Sequence, residues 1–141
     1  MIEINLTGTF ICSKIAAKYL IASGGGSLIM ISSGSALTGS GGGPHYAASK
    51  GGINSLVRYF SRQLAPKGIR VNGVAPRTID SEMLRFLYSE EERSKLLQGI
   101  PLRRLGTGKD VANVVAFLAS DLASFITGEV ILVDGGRTYN S

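Results

Sequence analysis

Tyr46 and Lys50 stand four residues apart, a spacing that puts both side chains on one face of a helix. A phenol ionises at about pH 10 and is a poor base near neutrality. A neighbouring ammonium favours the phenolate and lowers that value, so the pair is equipped to give and take a proton. A nearby hydroxyl can hold a substrate oxygen, and Ser33 lies thirteen residues before Tyr46, just past a short apolar run. Taken alone, a Tyr-x-x-x-Lys pair is more often two surface neighbours than a reaction centre. The intervening stretch, SSGSALTGSGGGPHYAASK from Ser32 to Lys50, begins with the composition of a flexible linker. It is bracketed too closely by strand and helix signals to join two domains. It reads instead as a mobile lip between fixed ends.

Elements must hold these residues in place. Residues 1–22 are apolar almost all round a helical wheel, with Ile2, Leu6, Phe10, Ala17 and Ile21 on one side and Ile4, Ile11 and Ile15 on another. That pattern predicts a helix buried on several faces, ended by Gly24, Gly25 and Gly26. SLIMIS (residues 27–32) predicts a buried strand. A second helix is expected from Tyr46, with Ile53, Leu56, Val57, Phe60 and Leu64 at helical spacing and Pro66, Lys67 and Gly68 as its stop. IRVNGVAP (69–76) predicts a second strand, and residues 80–98 one or two short helices. A third long helix is expected from Lys109 or Asp110, with Thr107 as its cap and Val111, Val114, Val115, Leu118 and Leu122 on one face. EVILVDGG (129–136) predicts a third strand. Helices alternating with short apolar strands imply an α/β fold with a parallel sheet. Chemistry in such sheets gathers at the carboxyl ends of the strands, where Ser33, Pro76 and Asp134 fall. Met30, Met83 and Cys12 read as packing residues, and His45 as a solvated turn residue.

The full set of motifs resembles the short-chain dehydrogenase/reductase family across essentially all 141 residues. Ser33, Tyr46 and Lys50 match its Ser…Tyr-x-x-x-Lys signature. INLTGTF at Ile4–Phe10 is similar to its Asn-bearing helix, YAASKGG at Tyr46–Gly52 to its catalytic helix, GIRVNGVAP at Gly68–Pro76 to its sixth strand, and ITGEVILVDGG at Ile126–Gly136 to its last. The match is nearest the branch that includes 3-oxoacyl-[acyl-carrier-protein] reductases and small-alcohol dehydrogenases.

The resemblance implies an oxidoreductase that moves a hydride between NAD or NADP and a small carbonyl or alcohol substrate. It implies that Tyr46 is the general acid/base. Lys50 would lower its pKa and bond the ribose hydroxyls of the cofactor. Ser33 would position the substrate oxygen, and Asn5 would hold a water in a proton relay behind Lys50. Pro76, Ile79 (through its backbone) and Ser81 would meet the nicotinamide. No metal ligand is implied. Arg77 departs from the family, which usually has glycine after this proline. It either points to solvent, which is the expectation here, or reaches a substrate carboxylate or a cofactor phosphate. Leu84, Phe86, Leu87 and Tyr88 fall in the family's substrate lid and are candidates for an apolar lining.

Pyrophosphate is usually held by a Gly-rich turn at a helix N-terminus, and the chain contains no G-x-G-x-x-G. In the family that fingerprint, and the residue choosing NAD or NADP, lie upstream of the matched motifs. Residues 1–141 are therefore expected to form the carboxyl-terminal part of a Rossmann-like domain, with three retained strands, without its dinucleotide-binding half and inactive alone. The alternative is a non-catalytic remnant that acts as an oligomerisation module. The family's long helices pair between subunits, so a homo-oligomer is expected in the full-length form.

Bulk composition narrows the partners. The apolar fraction is 44% and the charged fraction 18%, enough to bury a core. Residues 1–79 carry a net charge of +7 and residues 80–141 of −2. The basic residues are scattered with few aromatics among them, so no nucleic acid partner is expected. No apolar run approaches the length of a membrane span, and one cysteine allows no internal disulfide, which points to a cytoplasmic protein.

Overall fold

The computed structural model describes residues 1–139, apart from the side chain of Met83. In chain order the elements are α1 (Gly8–Ala22), β1 (Gly26–Ile31), α2 (Ser35–Thr38), α3 (Pro44–Leu64), β2 (Ile69–Pro76), α4 (Glu82–Leu87), α5 (Glu90–Gln98), α6 (Gly108–Ala119) and β3 (Val130–Val133). The strands form one parallel sheet in the order β1-β2-β3. Gly26 lies opposite Ile69 and Ile31 opposite Val74, while Gly73 lies opposite Val130 and Pro76 opposite Val133.

The central place of β2 follows from its composition. A strand with helices on both faces must be apolar in both directions of its pleat, and Ile69 to Ala75 are buried except for Arg70. Ile69 and Val71 pack with Ile53, Val57, Phe60 and Leu64 of α3 and with Ala17 and Met30. Val74 packs in a second cluster with Leu118 of α6 and Ala123. Asn72 is fully buried yet satisfied: its amide donates to the Ile126 carbonyl at 2.8 Å, and its oxygen accepts from the Glu129 N–H at 3.1 Å. It ties β2 to the segment leading into β3.

The helices start where local chemistry allows. Pro44 opens α3, two residues before the expected Tyr46, because the missing N–H of proline is tolerated in a first turn. Capping boxes open α5 (Ser89 with Glu92) and α6 (Thr107 with Asp110). Gly68, at φ +72°, closes the turn after α3.

The first helix corrects an expectation. Within α1 only Ser13 and Ala17 are buried, Ile4 just before it is 80% exposed and Tyr19 is 73% exposed. Leu6, Ala17 and Leu20 pack onto the core, and no other element among the described residues covers the remaining faces. Cys12 is likewise exposed rather than packed. Met30 is in the core, whereas the side chain of Met83 lies outside the described residues. β1 is an edge strand with Ile31 exposed, as expected of a strand with one neighbour. No helix is long and apolar enough to cross a membrane among the described residues.

Candidate active site

Two reciprocal hydrogen bonds fix the tip of β1 against α3. The Ser32 hydroxyl donates to the Lys50 carbonyl at 3.1 Å, and the Lys50 ammonium donates to the Ile31 carbonyl at 3.0 Å. The Ser32 N–H donates in turn to the Val74 carbonyl at 2.7 Å. Ser33 and Tyr46 are thereby held by the rigid sheet and its helix, while the lip runs between them.

Ser33 is 6% exposed, and its Oγ accepts from the Ser35 N–H at 3.2 Å. Its hydroxyl proton is left to donate. Among the described residues the Tyr46 hydroxyl has no hydrogen-bond partner. The Lys50 Nζ lies 5.8 Å from the centroid of the Tyr46 ring, within cation–π range. Half-burial penalises the ammonium and holds Lys50 below the ordinary lysine pKa.

Ser33, Tyr46, Pro76, Ile79 and Ser81 line one cleft of about 640 Å³. Lys50 and Asn5 do not line it. Asn5 sits in a widened turn at Glu3–Thr7, a form that recurs at functional sites. Its amide donates to the Ser49 Oγ at 3.2 Å, and the Ser49 hydroxyl donates to the Tyr46 carbonyl at 2.7 Å. Asn5 thus reaches the Tyr46–Lys50 turn through Ser49, a residue without a sequence signal of its own.

Ile79 is held edge-on. The Gly106 N–H donates to the Thr78 carbonyl at 3.1 Å, and the Asp80 N–H donates to the Gly106 carbonyl at 2.7 Å. In such a parallel bridge the N–H and C=O of Ile79 itself point away from Gly106. They form an unclaimed donor–acceptor pair on a cleft-lining residue. Thr78, at φ +59°, makes the bend that brings this segment across the strand ends. The Ser81 Oγ accepts from the Leu84 N–H at 3.2 Å and caps α4. Leu84, Leu87 and Tyr88 line the cleft, but Phe86 is 89% exposed and does not.

Arg77 overturns the solvent expectation. It is half-buried in the cleft wall, donating to the Thr138 hydroxyl at 3.2 Å and to the Ser40 hydroxyl at 3.0 Å. Gly34 makes this possible: a Cβ there would lie 2.8 Å from Cδ of Arg77. Arg137, unmarked by any motif, lines the same cleft and donates to the Thr78 hydroxyl.

The family model described as enoyl-(acyl carrier protein) reductase matches residues 1–138. The chain belongs to the short-chain dehydrogenase/reductase family. Among curated short-chain dehydrogenase/reductases it is 43% identical over 138 residues to an uncharacterized member from Sinorhizobium fredii, covering 96% of this chain and 54% of that protein. It is 42% identical over 136 residues to a 3-oxoacyl-[acyl-carrier-protein] reductase from Aquifex aeolicus, with the same coverage. A solved short-chain type dehydrogenase/reductase from Mycobacterium ulcerans superposes with a TM-score of 0.93 at 35% identity, covering 99% of this chain and 51% of that one. The chain spans about half the length of the short-chain dehydrogenase/reductases it matches.

Proposed function

We propose that this chain carries the reaction centre of an NAD- or NADP-dependent oxidoreductase that interconverts a carbonyl and an alcohol. The observation that carries the reading is the placement of the Ser33 and Tyr46 side chains on one cleft, with the Lys50 ammonium facing the Tyr46 ring. In reduction, Ser33 donates a hydrogen bond to the carbonyl oxygen and fixes it beside the phenol. Tyr46 gives its proton to that oxygen, and solvent returns it. The Lys50 ammonium stabilises the negative charge that develops on the phenol oxygen. A bound nicotinamide supplies the hydride that the carbonyl carbon gains, and receives it in the reverse direction. The free N–H and C=O of Ile79 fit a carboxamide, which needs one acceptor and one donor, and Pro76 and Ser81 flank them. Asn5 steadies the first turns of α3 through Ser49.

The chain has no Gly-rich pyrophosphate loop, and it matches about half of its relatives' length. Both facts support its being the carboxyl-terminal part of a dinucleotide-binding domain, inactive without the rest. The apolar residues exposed on α1, Ile11, Ile15 and Tyr19, support assembly into a homo-oligomer, and equally the alternative of a purely oligomerising remnant. Tyr46→Phe, in the protein carrying its dinucleotide-binding segment, separates the two. Turnover should fall about 100-fold or more while quenching of reduced-nicotinamide fluorescence persists. Undiminished turnover would remove Tyr46 from the chemistry, and a wild-type protein that quenches nothing would favour the remnant.

A further inference from the structure

The cleft that holds Ser33 and Tyr46 is lined by two charged side chains, Arg77 and Arg137, and both are cationic. Arg77 is bonded to the hydroxyls of Thr138 and Ser40, and Arg137 to the hydroxyl of Thr78. Neither guanidinium forms an ion pair among the described residues, whose acid–base pairs are Asp80–Arg85, Glu91–Lys95 and Asp110–Arg104. Asp134 acts on both arginines at longer range, but its oxygens accept from the N–H groups of Gly136 at 2.9 Å and Thr138 at 2.7 Å.

Two like charges in a half-buried wall repel each other. Burial first, and then the charge of Arg77, hold Arg137 below the ordinary arginine value. Such a pair gains from an anion that can accept from both, and guanidinium groups suit a planar carboxylate. Their position points to the substrate. Arg77 follows Pro76 at the tip of β2 and bonds Ser40 in the lip that borders Ser33. Gly34, next to Ser33, leaves the space in which the stem of Arg77 lies.

We propose that Arg77 and Arg137 bind a carboxylate carried by the substrate itself, so that the substrate class is oxo acids and the corresponding hydroxy acids. This deepens the carbonyl–alcohol reading and rests on it.

The test compares acetoacetate and levulinate with their methyl esters, in the protein carrying its dinucleotide-binding segment. Wild type should prefer at least one acid over its ester by about tenfold or more in kcat/KM. Arg77→Gln and Arg137→Gln should each lower that ratio about tenfold, mainly through KM. Gly34→Ala, which crowds Arg77 without removing it, should lower it in the same direction. Esters turned over as well as acids by wild type would overturn the inference while leaving the carbonyl–alcohol reading standing. A preference that survives Arg77→Gln and Arg137→Gln would also overturn it. So would an Arg77→Gln protein that binds NADH or NADPH more weakly with an unchanged acid-to-ester ratio, since the guanidinium would then serve a cofactor phosphate. If neither acids nor esters turn over, calorimetry with malonate decides. Binding that weakens about tenfold in Arg77→Gln supports the anion site, and no binding to wild type refutes it.

Discussion

Gly42 offers a direct test of how the lip governs Tyr46. It sits at φ +73°, and a Cβ there would lie 2.6 Å from Cδ1, 2.8 Å from Cγ and 3.1 Å from Cβ of Tyr46. Carbon atoms rest at about 3.5–4.0 Å, so in Gly42→Ala the ring or the lip must move by roughly 1 Å. Alanine at a left-handed φ also costs about 1–2 kcal/mol in the backbone. Gly39 separates the two effects. It has φ +68°, and a Cβ there would meet nothing within 4 Å. Gly39→Ala should therefore lower stability by the same 1–2 kcal/mol or so and leave the ring in place. Gly42→Ala should show a similar loss of stability, and misplacement of the reacting group by about 1 Å should lower kcat/KM about 100-fold. That corresponds to about 2.7 kcal/mol of barrier. The measurements are kcat/KM of the protein carrying its dinucleotide-binding segment, and urea midpoints for both variants. Equal activity losses in the two variants would refute the reasoning, as would Gly42→Ala activity within a few-fold of wild type.

Asn72→Ala should cost about 2–6 kcal/mol, because it orphans the Ile126 carbonyl and the Glu129 N–H at roughly 1–3 kcal/mol each; the urea midpoint should drop at unchanged slope. The stability–pH curve should fall in acid. Asp110 is held low by hydrogen bonds from Arg104 and then Thr107; burial alone would raise Asp134, but the Thr138 side chain, the N–H groups of Thr138 and Gly136 and the charge of Arg77 together hold it low. A depressed folded-state carboxyl stabilises above its unfolded value and loses that contribution as pH falls toward the folded one, so Asp110→Asn should flatten the acid limb of urea midpoints against pH. Lys50 gives a slope of the same sign at the alkaline end of the range. Its lowered folded-state value makes the ammonium a cost that is relieved as pH rises toward 10.5, and Lys50→Met should flatten that alkaline rise. Ile15→Glu, on the exposed side of α1, should shift sedimentation toward smaller species if α1 is an assembly face; an unchanged distribution would place assembly elsewhere.

The parts legible in the sequence are those whose cause is local. β2 reads as a strand because both of its faces are covered, so its apolar run is nearly unbroken, and α3 reads as a helix because Ile53, Val57, Phe60 and Leu64 recur on the face that meets it. Thr107 and Asp110 announce the start of α6 three residues apart. The same local logic failed at α1, where apolar residues all round state that several faces are to be covered without stating by what. Within the described residues α3 and β1 cover one side, so Tyr19 and Cys12 meet solvent.

The site divides in the same way. The spacing of Ser33, Tyr46 and Lys50 is set by one strand tip and one helix turn, and it points to a reaction centre only together with the surrounding motifs. Arg77 was misread because its fate depends on distant residues: the missing Cβ of Gly34, the hydroxyl of Ser40 in the lip and the hydroxyl of Thr138 past β3. None of these marks itself as a partner of residue 77, and Arg137 enters the cleft equally unannounced. On the proposed reading, the proton-transfer groups of the cleft lie within short-range spacing, whereas the groups that would select the substrate's charge are brought in by long-range packing. A variant series confined to Ser33, Tyr46 and Lys50 would show whether the site reacts and would be blind to what it chooses. Paired changes at Gly34 and Arg77 address the choice, since one moves a guanidinium that the other removes, and a shared site requires their effects on acid preference to be less than additive.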